Sequence, residues 1–319
     1  MIAAGLLAGC AVFAATVGGW LLCRARWPQR APVLGIAAWQ ALSLSTVLAV
    51  VLAGLVLAVP RSALGGGLAE LVQSCVWALR AQYGPVGPLV GAAGAALAGG
   101  VSARAGWCLV AELVASVRAR RRHAALLAPI ARTDQRLQAL VVPHQTTAAY
   151  CLPGPAGRVV LTTGALAVLD AHQLGCVLGH ERAHLRWRHH LPVGLARALH
   201  RAFPGVPLLR HADQQIAELV EMLADDAATK HGDRHSYAAA LVALVEGAAP
   251  ARALAAGGPA ALARVRRLVA PHRPLGMLRR SVTALAILAL LALPVAVAAT
   301  PAFVAAQLPY CPVDVTGLT

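Results

Sequence analysis

The sequence predicts an α+β membrane protein, in which four transmembrane helices accompany one polar, mostly helical domain with a small β-hairpin or sheet. The mean hydropathy is +0.65 and only 13% of residues are charged, which is too apolar for an ordinary soluble domain. Most of the charge and all 12 histidines lie in the segment 118–280. That segment has about 160 residues, enough to bury a core of its own.

Four apolar runs are each long enough to cross a bilayer as a helix. They cover residues 2–23, 34–59, 88–117 and 281–298. Arginines follow the first run rather than precede it, so we expect a retained helix and not a cleaved signal peptide. We therefore expect three membrane helices in residues 1–117 and a fourth, with a short tail, in residues 281–319.

Basic clusters determine the expected orientation, because Lys and Arg accumulate on the cytoplasmic side of membrane proteins. The clusters are Arg24 to Arg30, Arg118 to Arg122 and Arg273 to Arg280. If all three are inside, both termini and the loop 61–85 are outside, and the domain 118–280 is cytoplasmic. The same clustering accounts for the net charge of +15, so we expect no direct nucleic-acid binding.

Two histidines near the middle of the polar domain have the spacing of a metal site. His180 and His184 are four residues apart, so they lie one turn apart on the same face of a helix. Such a pair can bind Zn²⁺, with Glu181 beside the position of a metal-activated water. Asp170 followed by Gln173 predicts a capping box that starts this helix.

A third ligand is expected from a second helix, because catalytic zinc sites use three protein ligands and leave one position open. The segment 211–230 has a helical pattern and contains Glu221, with Asp225 one turn later. We expect Glu221 to bind the metal and Asp225 to accept a hydrogen bond from the other ring nitrogen of a ligand histidine. Glu218 is the alternative ligand, although Met222 occupies the place where its partner acid would stand.

Other polar residues of the domain have ordinary interpretations. We expect His189 and His190 to close the catalytic helix, where an imidazolium suits the negative end of the helix dipole. We expect Cys176 to be a small core residue. The seven cysteines include no C-x-x-C pair, which excludes a zinc ribbon or a thioredoxin motif.

Two segments of the polar domain have strand composition, 137–142 and 158–163. We expect them to form a hairpin, with the intervening stretch 149–154 as a turn. A helix is expected over 171–190, with a break at Pro192. The strand at 158–163 is expected to offer an edge on which a substrate backbone adds.

These motifs resemble those of the membrane-embedded antirepressor metallopeptidases, the family of the BlaR and MecR sensor-transducers of the β-lactam response. The matching stretches are AYCLPG at 149–154, VVLTTG at 159–164, LGHERAH at 178–184, EMLADD at 221–226 and RVRRL at 264–268. The four-span layout agrees as well. HtpX-type membrane proteases are similar in their zinc pattern.

The resemblance implies a gluzincin in which His180, His184 and Glu221 bind zinc and Glu181 is the general base. It implies a protein substrate, a winged-helix transcriptional repressor of the BlaI/MecI type that is cut to relieve repression. The similarity to HtpX implies an alternative, the quality control of membrane proteins. A third alternative is a non-catalytic transducer with structural zinc, but such a site has no need of Glu181.

Three further expectations concern the outer face and the reaction. Sensor-transducers carry a penicillin-binding domain after the last span, and only 301–319 remains here, so we expect no fused sensor domain. Cys75 and Cys311 are the only cysteines expected outside, where we expect a disulfide between them; two unpaired thiols or a bond between two chains are the alternatives. Spacing does not choose the donor to the oxyanion among four candidates: His231, His235, Tyr237 and Arg264.

Overall fold

The computed structural model describes residues 2–58, 87–154, 157–230, 233–246, 258–271 and 274–306 of the 319-residue chain. It confirms the predicted fold class, since the described residues form long helices, four of them apolar enough to cross a membrane, and a small four-stranded sheet. Cys75, Cys311, the loop 61–85 and His231 lie outside the described residues, so the expected disulfide stays a prediction.

The chain divides into two compact units. Unit 1 comprises Met1–Leu21, Ala41–Gly106 and Leu285–Thr319, and unit 2 comprises Leu22–Gln40 and Trp107–Ala284.

The candidate membrane helices extend the predicted apolar runs. They are α1 (Ile2–Arg24), α3 (Pro32–Ala58), α4 (Gly87–Leu127) and α11 (Met277–Ala306), with the short α2 (Trp27–Arg30) after α1. Helix α4 has 41 residues and is therefore about 60 Å long, roughly twice the thickness of the hydrocarbon core. Only part of α4 can lie within a bilayer.

Small residues let the helices of unit 1 approach closely. Leu7 and Ala11 of α1 pack against Ala49 and Ala53 of α3. A Cβ on Gly54 of α3 would lie 2.6 Å from the carbonyl oxygen of Gly94 in α4. Glycine is required at this crossing, because any side chain would push the two backbones apart.

Unit 2 contains the sheet, whose strand order differs from the predicted hairpin. The strands are β1 (Arg132–Asp134), β2 (Ala139–Val142), β3 (Ala149–Leu152) and β4 (Arg158–Thr162), in the order β1-β2-β4-β3. The two predicted strands pair parallel as β2 and β4, so the expected hairpin between them is wrong. The predicted turn is also wrong in part, because 149–152 forms β3, which pairs antiparallel with β4.

The expectation that 158–163 offers a free edge is wrong for the same reason. Strand β4 is covered on both sides, by β2 and by β3, and its Val160 and Leu161 are fully buried. The edge strand on this side of the sheet is β3. An alternating apolar pattern predicts a strand but not which strands pair with it. In this sheet the more apolar strand, β4, takes a central position, where it is buried.

Between the sheet and α11, the described residues form six helices. They are α5 (Thr163–Val168), α6 (Ala171–Arg186), α7 (His190–Ala202), α8 (Pro207–Ala228), α9 (Arg234–Glu246) and α10 (Gly258–Val269). Helix α6 is shorter than predicted, because Arg188 adopts a left-handed conformation with φ 51°. Pro192 lies in the first turn of α7, where its missing N–H leaves no hydrogen bond unmade. The expectation that His189 and His190 close α6 is therefore wrong.

Helix α6 is buried between the sheet and the later helices. Its Leu178 packs against Val159 and Leu161 of β4. On another face, Cys176 and Val177 belong to a buried cluster with residues of α9 and α10. Cys176 is thus a core residue, as expected, and α6 is fixed on two sides.

Candidate metal centre

Helix α6 begins at the predicted capping box. The Asp170 carboxylate accepts the N–H of Gln173 at 2.8 Å, and the side-chain oxygen of Gln173 accepts the N–H of Asp170 at 3.1 Å. The first N–H groups of a helix have no carbonyl partner within the helix, and two of them obtain a hydrogen bond in this way. The cap fixes the start of the helix that carries His180 and His184.

Helices α6 and α8 bring three potential metal ligands together. The Nε2 atoms of His180 and His184 lie 3.0 Å apart. The two Glu221 oxygens lie 3.4 Å from them, Oε2 from His180 and Oε1 from His184. Ligands at zinc bond lengths in a tetrahedron are about 3.3 Å apart. Two imidazoles and a carboxylate at these separations fit zinc, and within the described part of the chain they form the one such cluster.

Glu218 does not belong to this cluster. Its carboxylate accepts a hydrogen bond from the Gln215 side chain at 3.2 Å on the exposed side of α8. Of the two acids left open by the sequence, the structure places Glu221 beside the histidines.

The other ring nitrogen of His180 faces a buried polar cluster. Its Nδ1 lies 3.1 Å from Asp225 Oδ1 and 2.9 Å from the Tyr237 hydroxyl, which donates to the same carboxylate oxygen at 2.9 Å. Arg264 of α10 donates from Nε to Asp225 Oδ2 at 2.9 Å. Asp225 has no exposed surface, so its charge is balanced wholly by these partners. The carboxylate stands where the sequence predicted it.

Burial and hydrogen bonding act oppositely on the ionisable groups of the centre. Burial opposes ionisation of Asp225, but hydrogen bonds from His180 and Arg264 outweigh it and lower its pKa to about 2. Burial also opposes protonation of His180, but hydrogen bonds to Asp225 and Glu221 raise its pKa to about 9. For His184 burial prevails and lowers the pKa to about 4. Without metal, one histidine of the pair is therefore charged and the other neutral.

His189 contacts the second histidine of the pair. Its Nδ1 lies 3.0 Å from Nδ1 of His184, and the side chain is buried. A spacing of five residues does not place two side chains on one helix face, so the sequence offered no signal for this contact. The left-handed turn at Arg188 is what returns His189 to the site.

Glu181 lies between the histidines and the edge strand. Burial is the largest influence on its carboxyl and raises its pKa, while the Cys151 thiol of β3 hydrogen-bonds to it. Burial and the Glu181 charge raise the pKa of Cys151 to about 12, so the thiol stays protonated and donates. A carboxyl whose pKa is raised takes up a proton more readily than an ordinary glutamate, which suits a general base.

The main chain of β3 directs some of its hydrogen-bonding groups to the open edge beside Glu181. Ala148 accepts a hydrogen bond from the N–H of Thr162 at 3.0 Å. In the antiparallel register of β3 and β4, every second residue of β3 forms main-chain hydrogen bonds with β4. The residues between them direct their main-chain groups away from β4. The main-chain groups of Ala149 and Cys151 therefore face the open edge.

Two of the four candidate oxyanion donors lie at the centre. The Tyr237 hydroxyl is engaged behind His180 and is not available to a substrate. Arg264 Nη1 lies 3.1 Å from Glu221 Oε2, so its guanidinium is the nearer of the two to the metal cluster. His235 is exposed on α9 and makes no contact with the cluster.

Comparison with known proteins agrees with this chemistry. The model of Peptidase family M48 matches residues 115–203, a region that contains the sheet, α6 and α7 but not Glu221. This match supports a metalloprotease, and with four helices able to span a membrane it is consistent with a gluzincin membrane metallopeptidase. No curated protein and no solved structure matches the chain. The BlaR/MecR subdivision stays a prediction.

Proposed function

We propose that this chain is a zinc-dependent endopeptidase of the cell membrane that cleaves a cytoplasmic protein, a winged-helix transcriptional repressor of the BlaI/MecI type. The observation that supports catalysis most strongly is the position of Glu181. A carboxylate with a raised pKa stands beside a three-ligand cluster and next to an open strand edge. A structural zinc site closes all four positions with protein ligands, so a purely structural metal leaves both features unexplained.

Zinc, when bound, supplies an acidified water and a Lewis acid for the scissile carbonyl. Glu181 takes a proton from the attacking water and passes it to the leaving amine. Asp225 and Tyr237 hold the ring of His180, and His189 holds the ring of His184, so both Nε2 atoms face the same point. Arg264 keeps Glu221 and Asp225 ionised and adds positive charge near the developing oxyanion.

The substrate backbone is expected to add to β3. An extended segment paired with the edge-facing main-chain groups of Ala149 and Cys151 would run alongside Glu181, which bonds to the Cys151 side chain. Main-chain pairing binds a substrate without demanding a particular sequence. Specificity would then depend on pockets for alternate side chains.

The repressor assignment rests on the resemblance of the motifs, and the cytoplasmic location rests on the basic clusters at the ends of the spans. The alternative, quality control of membrane proteins, uses the same centre but differs in the breadth of substrates. A comparison of cells that express the wild type with cells that express Glu181→Gln separates the two. New protein N-termini are identified by mass spectrometry in both strains.

We expect few wild-type-dependent cleavages, one of them in a small DNA-binding protein. Many cleavages in membrane proteins would favour quality control over the repressor. Equal sets of N-termini in the two strains would exclude Glu181-dependent proteolysis altogether.

A further inference from the structure

We propose that unit 2 binds the phosphate headgroup of an anionic phospholipid in a cavity at the first turns of α3 and α11. The cavity has a volume of about 700 Å³. Its walls come from the start of α3, the first part of α11, the second half of α8 and the start of α9. This inference concerns a site separate from the metal centre and does not depend on proteolysis.

Positive charge dominates the walls of the cavity. Four basic side chains line it: Arg30, Lys230, Arg234 and Arg280. Among the described residues of the lining, the single acidic one is Asp226, whose oxygens accept hydrogen bonds from Arg267 at 2.8 and 2.7 Å. The charge of this carboxylate is therefore already neutralised.

Within the described part of the chain, the four basic side chains have no acidic partners. Arg234 donates to the carbonyl oxygens of Leu268 and Arg267 at 3.0 and 3.1 Å, which leaves its charge uncompensated. Arg30, Lys230 and Arg280 form no ion pair with any residue that the structure describes. A cavity that gathers four uncompensated cations favours an anion, and a phosphate offers several acceptor oxygens to such a group.

The place of the cavity in the chain favours a lipid as the source of that phosphate. Val33 and Leu34 line it from α3, and Ala284 lines it from α11. Both helices are candidate spans with mean hydropathies of 2.5 and 2.6, and their first residues would lie at the level of the lipid headgroups. A phospholipid places its phosphate among the cations and its acyl chains against the apolar wall, whereas free phosphate leaves that wall uncovered.

Helix α8 connects this cavity with the metal centre. Leu223 and Asp226 of α8 line the cavity, as does Lys230 two residues after its end. Glu221 and Asp225 of the same helix face the histidines. A lipid that binds only the folded chain stabilises it by mass action. We therefore expect the bound lipid to stabilise unit 2, and α8 with it.

The test is native mass spectrometry of the detergent-purified full chain, titrated separately with dioleoylphosphatidylglycerol and dioleoylphosphatidylcholine. The wild type should bind the anionic lipid about tenfold more tightly than the zwitterionic one. The double variant Lys230→Gln/Arg280→Gln should lose most of that preference, since each basic residue at a membrane surface contributes roughly a fivefold factor. The single variant Lys230→Gln should keep about a twofold preference, because one fivefold factor is removed from about tenfold.

The matched control is Arg121→Gln/Arg122→Gln, which removes two exposed charges of unit 2 outside the cavity. It should bind both lipids as the wild type does. Equal affinity of the wild type for the two lipids would overturn the proposal, as would an equal loss in both double variants. Displacement of the anionic lipid by millimolar inorganic phosphate would reassign the cavity to free phosphate.

Discussion

Nδ1 of His189 lies 3.0 Å from Nδ1 of His184, although His184 lies in α6 and His189 is the N-cap residue that precedes α7. When Nε2 of His184 binds a metal, the ring proton of His184 would be on Nδ1, and Nδ1 of His189 would accept it. Burial lowers the pKa of His189 to about 4, so the ring is neutral and able to accept. His189 thus fixes the tautomer of His184, as Asp225 does for His180.

The first prediction follows from this pair. His189→Ala should weaken zinc binding about 10–100-fold, because a ligand histidine loses the partner that orients its ring. His189→Asn, whose side-chain oxygen can accept the same proton, should recover part of the affinity. Competition with a fluorescent chelator measures both values.

The matched control is His190→Ala, which removes the neighbouring imidazole. His190 lines a different cavity, and its Nδ1 has no hydrogen-bond partner among the described residues. Its zinc affinity should equal that of the wild type. If His189→Ala also binds zinc normally, His184 needs no partner and the contact is only packing.

The second prediction separates the two acids of α8. Glu221→Gln should abolish cleavage and lower the zinc content, since a carboxylate ligand becomes a neutral amide. Glu218→Gln should keep both, because the Glu218 carboxylate accepts a hydrogen bond from Gln215 on the exposed side of α8 and lies outside the ligand cluster. Metal analysis and a cleavage assay on the same preparations provide the comparison. The opposite pattern would move the ligand by one helical turn.

The third prediction concerns the pH dependence of zinc binding. His180 has its pKa raised to about 9 in the metal-free chain, so it is protonated at pH 7 and must lose that proton to bind zinc. Zinc affinity should therefore rise about tenfold for each pH unit between pH 6 and 8. Calorimetry in two buffers of different ionisation enthalpy should find about one proton released per zinc. An affinity that does not change over this range would show that His180 is neutral before binding.

The fourth prediction tests the edge strand. Cys151→Pro removes the outward N–H of β3, at an edge position where proline is tolerated. It should lower kcat/KM about 5- to 10-fold relative to Cys151→Ala, the cost of one hydrogen bond to the substrate. Both variants lose the thiol that contacts Glu181, so the ratio of their kcat/KM values measures the contribution of the main-chain N–H at residue 151. Equal activities would show that substrate does not pair with β3.

The parts of the fold that could be predicted are those with local causes. Asp170 and Gln173 form their capping box within four residues, and the apolar runs define the spans by length alone. The strand order could not be predicted, because the parallel pairing of β2 with β4 depends on which strand the rest of unit 2 buries. The same holds for the cavity at the start of α3 and α11, which joins segments distant in the chain.

At the candidate metal centre, too, the residues that could be predicted are those positioned by local helical spacing. His180, His184 and Glu221 follow from helical spacing and the chemistry of zinc ligands. Asp225 was predicted because it lies one turn after Glu221 on the same helix. His189 was not, because its position depends on the backbone of one residue, Arg188 with φ 51°. Tyr237 was considered for the oxyanion, but the structure places its hydroxyl behind His180.

The most direct test of the account is the cleavage activity of zinc-loaded Glu181→Gln. Glu181 stands beside the metal cluster but is not one of its three ligands, so this variant should bind one zinc per chain and unfold at the wild-type temperature. Cleavage of a protein substrate should fall at least 100-fold, since only the proton transfer is removed. Cleavage at the wild-type rate by a variant with full zinc content would contradict the account.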